Sequence, residues 1–173
     1  MSRRVSRVAL IVAAQMIAAV LAPGTVAKAD AQASSRSTCY GFKDSERAFA
    51  RKINATRSSR DKGKLRLDPE LSRVARQHTR EMVKKGLLFH QTSSQFARRI
   101  TNWTMIAENV GYGSDVGELH RAFMDSPLHA ANILNSSYRF VGTGVVTVGN
   151  QMWVTVIFEA RSNPGTSLQM PRC

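Results

Sequence analysis

"FVGTGVVTVGNQMWVTVIFEA", residues 140–160, decides the fold. Two runs rich in β-branched and aromatic residues flank Gly149-Asn150. That pair between β-formers signals a hairpin, because glycine supplies the backbone freedom a two-residue loop demands. In the second run Met152, Val154, Val156 and Phe158 alternate with Trp153, Thr155 and Ile157. Successive strand side chains point to opposite faces, so both faces of this hairpin are largely apolar. Such a sheet has to be covered twice, which predicts a helical layer on each side.

The sequence before the hairpin supplies those helices. "DSERAFARKINATRSSR", from Asp44, offers polar cap residues and then Ala48, Phe49 and Ile53 at helical spacing, ending near Arg57, with a turn over Asp61 to Gly63. The next helix has both ends marked. Asp68 is placed to cap it, Pro69 suits its first position, Leu71, Val74, Ala75, His78, Met82 and Val83 form one stripe, and Gly86 stops it. "NWTMIAENV", residues 102–110, leans towards a strand until Glu108 and Asn109 interrupt it. Val116, Leu119 and Phe123 predict an amphipathic helix from Ser114 to Met124, and Ser126-Pro127 starts a short one through Leu134.

The flanks carry processing signals. Arg3, Arg4 and Arg7 precede an apolar run from Val8 to Ala22, and Pro23-Gly24 leads to Ala27-Lys28-Ala29. This is the layout of a secretory signal peptide over residues 1–29, cleaved after Ala29, with Ala33 as the competing site. The apolar run, about 15 residues, is short against the roughly 20 needed to span a bilayer. Residues 30–43 are expected to be a flexible leader, residues 44–160 one folded domain and residues 161–173 an irregular tail. In an oxidising compartment Cys39 and Cys173 suggest one disulfide joining the two ends, with two free thiols as the alternative. The sequons at Asn54, Asn102 and Asn135 matter only in a glycosylating host.

The formal charge is +13 over 173 residues. Cleavage after Ala29 removes Arg3, Arg4, Arg7 and Lys28 and no acid, leaving 13 − 4 = +9. Outside the cell that field favours an anionic surface, a lipid headgroup or an acidic envelope component. The cations are spread out without an aromatic-rich basic repeat, which argues against nucleic acid as the partner. No H-E-x-x-H pair, Cys/His cluster or G-x-S-x-G elbow is present, so no motif announces a catalytic centre.

Among the histidines, His78 lies on an apolar stripe and is expected to be a hydrogen-bonded core residue, while His120 receives no role. His90, Glu108 and His129 each end an apolar element at a polar turn, where loop ends can converge on one cleft. Their donor types suit zinc as well as general acid and base chemistry. Asn109 and Ser126 are explained by cap and turn chemistry.

"FARKINATR", "LRLDPELSRVARQHTREM", "GLLFH", "AENVG", "HRAFMDSPLHAANIL" and "VGTGVV…MWVTVIF" together resemble the CAP superfamily, the cysteine-rich secretory, antigen five and pathogenesis-related one proteins, in its small bacterial branch. The match runs from about Ser45 to Phe158. The resemblance implies an α+β fold, a three-layer α-β-α sandwich around a central antiparallel sheet, in a secreted protein. It also implies a cleft where two histidines and two glutamates can hold a divalent metal such as zinc. His90 and Glu108 fall on two of those positions, whereas Ser126 and Met152 stand at the others. His129 matches a histidine of the bacterial "SPxHRxNIL" block, in which Ala130 replaces the usual arginine.

The expected function is therefore that of a secreted, monomeric binding protein acting on an envelope component, a lipid or an external protein partner through a cleft formed by His90, Glu108 and His129. The alternatives are a metal-assisted hydrolase with Glu108 as base and His90 and His129 as ligands or acid, and a basic nucleic-acid-binding protein.

Overall fold

The structure, a computed structural model, describes residues 9–10, 40–100 and 103–160. The elements run β1 (Ala9–Leu10), α1 (Asp44–Ser58), β2 (Arg66–Leu67), α2 (Pro69–Lys85), α3 (Ser93–Arg99), β3 (Met105–Gly113), α4 (Val116–Asp125), α5 (Pro127–Leu134), β4 (Phe140–Val148) and β5 (Gln151–Ala160). The strands form one sheet in the order β1-β3-β5-β4-β2. The core strands β3, β5 and β4 are antiparallel, as expected, and the two-residue β2 lies parallel to β4. Cys39, Cys173, Asn102, both cleavage sites and the tail lie outside the described residues.

The β4–β5 hairpin forms where its sequence places it, with Val148 opposite Gln151 and Gly149 at φ 56°. Its two apolar faces are both covered. On one, Val141, Val145, Val154, Val156 and Phe158 pack with Phe49 and Ile53 of α1, Leu119 and Phe123 of α4 and Ile133 of α5. On the other, Ile157 and Ile106 pack with Leu71, Val74 and Ala75 of α2 and Phe96 of α3, while Trp153 and Val110 meet Met82 and Leu88.

Gly142 and Gly144 set the distance between α2 and the sheet. A Cβ on Gly142 would lie 2.3 Å from backbone and side-chain carbons of Leu71, and one on Gly144 would lie 2.0 Å from the amide nitrogen of Arg76. Bare backbone therefore meets helix backbone, a close approach only glycine allows. Thr79 exploits it, its hydroxyl lying within hydrogen-bonding distance of Gly144 O at 3.0 Å and Thr155 Oγ1 at 2.9 Å.

Beyond β2, the outer edge of β4 is completed by side chains. Thr143 N donates to Ser72 Oγ (3.1 Å), Lys43 Nζ donates to Val145 O (3.1 Å), and Val145 N lies 3.4 Å from Glu46 Oε1. Glu46 is fully buried and receives a fork of Arg76 bonds, 2.6 Å from Nε and 2.5 Å from Nη2, besides the Lys43 amide at 3.0 Å. This charged pair joins α1 to α2 around the edge, which keeps that edge from pairing with another chain. Burial and then Glu46 push the ionisation of the neighbouring Tyr40 hydroxyl upwards.

Two elements differ from expectation. Strand β3 continues through Glu108 and Asn109 to Gly113, because both polar side chains are buried and hydrogen-bonded. Helix α3 is an element that the sequence reading did not anticipate. Thr92 and Gln95 exchange capping-box bonds there, and Phe96 is its one buried residue. Asp68 caps α2 through the amides of Glu70 and Leu71, and Gly86 ends it in the left-handed conformation.

His120 is buried between α1 and α4, its Nε2 3.1 Å from Thr56 Oγ1. Burial first, then Lys52, Arg60 and Arg121, lower its pKa from 6.5 to about 4. The fold thus favours the neutral ring, and the resulting stability is present above pH 6.5 and lost as pH falls towards about 4. His120→Gln is expected to remove this part of the acid-side loss, measured as the difference between the two proteins' urea-derived stabilities across that interval. Gly144→Ala is expected to destabilise by about 3 kcal/mol or more through overpacking against α2, whereas Gly63→Ala, whose added Cβ meets nothing within 4 Å, should stay within about 0.5 kcal/mol. Urea unfolding of both variants measures the contrast.

Candidate functional site

Glu108 lies in the middle of β3, and strand alternation turns it with Ile106 and Val110 towards α2. The loop leaving the Gly86 cap brings His90 and Gln91 over it. Glu108 Oε2 accepts from His90 Nδ1 and from the Gln91 amide, each at 3.0 Å, and Oε1 accepts from Gln91 Nε2 at 2.8 Å. Gln91 Oε1 in turn accepts from Arg99 Nη1 at 2.8 Å, and Arg99 Nη2 reaches Glu81 Oε1 at 2.8 Å. A carboxylate accepts only, so its bond to His90 places a proton on Nδ1, and in the neutral ring Nε2 is then an acceptor. His90 Nε2 is buried without a hydrogen-bond partner.

His78 behaves as expected and does more. It is fully buried, and its Nε2 donates to Phe89 O at 2.7 Å. The same nitrogen lies 3.8 Å from Glu108 Oε1, and Nδ1 lies 3.6 Å from Glu81 Oε2. His78 thus adjoins the site from α2, together with Glu81, Gln91 and Arg99, none of which the sequence reading assigned. The available signals were the seven-residue spacing of Leu71 and His78 on one helix stripe, the adjacency of Gln91 to His90, and the Arg98-Arg99 pair.

His129 does not join the pair. Asn109, next to Glu108, points to the opposite face of β3, where its Nδ2 donates to His129 O at 3.1 Å and its Oδ1 accepts from Asn132 Nδ2 at 2.8 Å. The His129 ring packs against Phe123 with centroids 5.1 Å apart, and its Nδ1 is 2.8 Å from Ser126 Oγ. The expected cleft of three side chains is therefore split by the strand itself. Asn109 is a buried strand residue and not a turn former, and Ser126 takes the first position before α5 while its hydroxyl bonds the His129 ring and leaves the cap bond unmade.

These residues do not fit the zinc site that the resemblance implies. Both Glu108 oxygens already accept hydrogen bonds, Ser126 is engaged by His129, and Met152 packs with the core on the α1 and α4 side. Among the described residues no three His, Cys, Asp or Glu side chains gather as a metal shell. A structural or catalytic zinc takes three or four such protein ligands.

The family model of the cysteine-rich secretory proteins, CAP, matches residues 50–158. The chain belongs to the CAP family. It is similar to the uncharacterized protein YkwD of Bacillus subtilis, 29% identical over 137 residues, which are 73% of this chain and 53% of that one. The CAP chain described here thus spans about half the length of that curated relative. Its fold is similar to that of an outer surface protein of Borrelia burgdorferi, with a TM-score of 0.62 at 17% identity over 67% of this chain and 92% of that one. A cysteine-rich secretory protein of Staphylococcus aureus gives a TM-score of 0.60 at 21% identity, over 68% of this CAP chain and 38% of that protein. No helix of the described residues is long and apolar enough to cross a membrane.

Glu108→Ala strands the His90 and Gln91 donors, and is expected to cost about 3 kcal/mol in urea unfolding. Calorimetric titration of the purified CAP protein with zinc is expected to show no saturable one-to-one binding. Saturable binding abolished by His90→Ala would contradict the reading of Glu108 as fully engaged.

Proposed function

We propose that this CAP protein works outside the cell as a binding protein for an anionic partner, such as an envelope component or the surface of another cell. The observation that carries the reading is the set of bonds around Glu108. Its oxygens are held by His90 and twice by Gln91, and beside them His90 Nε2 and His78 Nδ1 are buried without a hydrogen-bond partner. Displacement of the loop that carries His90 would offer its Nε2 to a hydroxyl or amide of a ligand. That atom does not supply a pair of groups free to exchange protons with a substrate. The excess of cations, +13 in the full sequence, supports an anionic partner. The similar Borrelia protein is described as an outer surface protein and the Staphylococcus protein as secretory, which supports an extracellular site of action. A metal-assisted hydrolase with Glu108 as base has less support, because that carboxylate is already committed.

Co-sedimentation tests the reading with two probes, vesicles of phosphatidylglycerol and phosphatidylcholine and an insoluble polygalacturonate gel. Retention on at least one is expected, falling as salt rises from about 0.05 to about 0.5 M. Failure on both, or retention indifferent to salt, would remove the proposed role. His90→Ala should weaken retention severalfold, the worth of about 1 kcal/mol for one hydrogen bond, without changing its salt dependence.

A further inference from the structure

A groove of about 420 Å³ opens beside the C-terminal half of α1, in the helical layer on the opposite face of the sheet from His90 and Glu108. It is lined by Arg51, Asn54, Ala55, Ser58 and Lys64. Its size falls within the range of small-ligand sites. Asn54 fixes its shape, since its Oδ1 accepts from Leu65 N at 2.8 Å and its Nδ2 donates to Leu65 O at 2.9 Å. These paired bonds hold the Lys64 segment against the helix, so that Arg51 and Lys64 border one depression, both exposed.

The surroundings are cationic beyond those two. Residues 51–66 contain Arg51, Lys52, Arg57, Arg60, Lys62, Lys64 and Arg66 against the single acid Asp61. Arg57 is spent internally, donating to Gly63 O, Ile133 O and Asn135 O. Among the described residues, the carboxylate pairs of arginine or lysine within bonding range are Arg76–Glu46 and Arg99–Glu81, which leaves Arg51 and Lys64 without one. The crowding also registers on buried neighbours: Lys52, Arg60 and Arg121 add to burial in holding His120 neutral, and Arg139 adds to burial in lowering the Arg57 pKa.

The lining narrows the partner. Among the described residues it contains no aromatic ring, so bases of single-stranded nucleic acid find no platform there on which to stack. Among the described residues the exposed large apolar ones, Leu87, Leu128 and Val148, all lie outside it, so they give the groove no anchor to a lipid interior. What remains is a pair of cations and a hydroxyl lining one groove, a pattern matched by a sugar chain that carries acid groups.

We propose that the groove between Arg51 and Lys64 binds a stretch of acidic glycan, its carboxylate or sulfate groups pairing with the two cations and its hydroxyls with Ser58. The inference rests on the binding role above and names its partner class and place.

Fluorescence anisotropy of the full chain with labelled hexagalacturonate and a heparin hexasaccharide tests it, beside maltohexaose, oligo-dT and phosphatidylglycerol vesicles. Two double variants remove the same charge: Arg51→Ala with Lys64→Ala in the groove, and Lys84→Ala with Lys85→Ala at the far end of α2. The groove variant is expected to lose about tenfold in affinity for at least one acidic hexasaccharide and to lower the salt slope by about 2, while the far-end variant stays within about twofold. Equal losses in the two variants would show only overall charge at work and overturn the site. So would unchanged binding in the groove variant. Ser58→Glu, a single exposed change, should weaken the same binding should the double variant fold poorly. Equal or tighter binding of maltohexaose or oligo-dT overturns the glycan assignment. Vesicle binding without glycan binding also overturns it, and leaves the broader role standing.

Discussion

The contact that everything else depends on is the meeting of backbone with backbone where α2 crosses Gly142 and Gly144 of β4. Any side chain on that face would lift the helix away from the sheet. With the helix seated, its stripe of Leu71, Val74, Ala75 and Met82 closes one apolar face, and His78 and Glu81 arrive beside β3. Ser72 and Thr79 reach the strand at the same time and satisfy polar groups that the close approach would otherwise strand away from water. The His90–Glu108 pair is a downstream product of this seating, because the loop that carries His90 begins at the Gly86 cap of the same helix.

Much of this was legible in the sequence for identifiable reasons. Proline at the first helical position, aspartate before it and glycine after the last turn fixed α2 to the residue, since caps are local chemistry. The hairpin and its two apolar faces followed from alternation, which is local too. The site was only half legible. His90 and Glu108 do meet, yet His129 was grouped with them on the reasoning that loop ends converge, and Glu108 was taken to end a strand that in fact continues. Once the strand runs on, period two sends Asn109, and with it the segment carrying His129, to the other face. The cost of burying Glu108 and Asn109 in a strand is offset by partners from distant segments, which no local pattern announces. Helix α3 was missed because its burial signal is the lone Phe96.

The polar chemistry of the protein is divided by the sheet. On the α2 side, acids and histidines are tied to one another and to Arg99 in a largely buried set. On the α1 side, cations predominate, and the buried Arg57 spends its donors on the carbonyls at the end of α5 and of a turn. One face therefore encloses a buried set of directional hydrogen-bonding groups, while exposed cations lie on both, Arg73, Arg80, Lys84 and Lys85 of α2 among them.

Strand β5 occupies the centre of the sheet, between β3 and β4, and follows every other described element in the chain. During synthesis, neither helical layer has a complete surface to pack on until the last strand has emerged. The full contact surface of both layers therefore becomes available only with the last strand made. The order in which the strands are made works as a timer for folding.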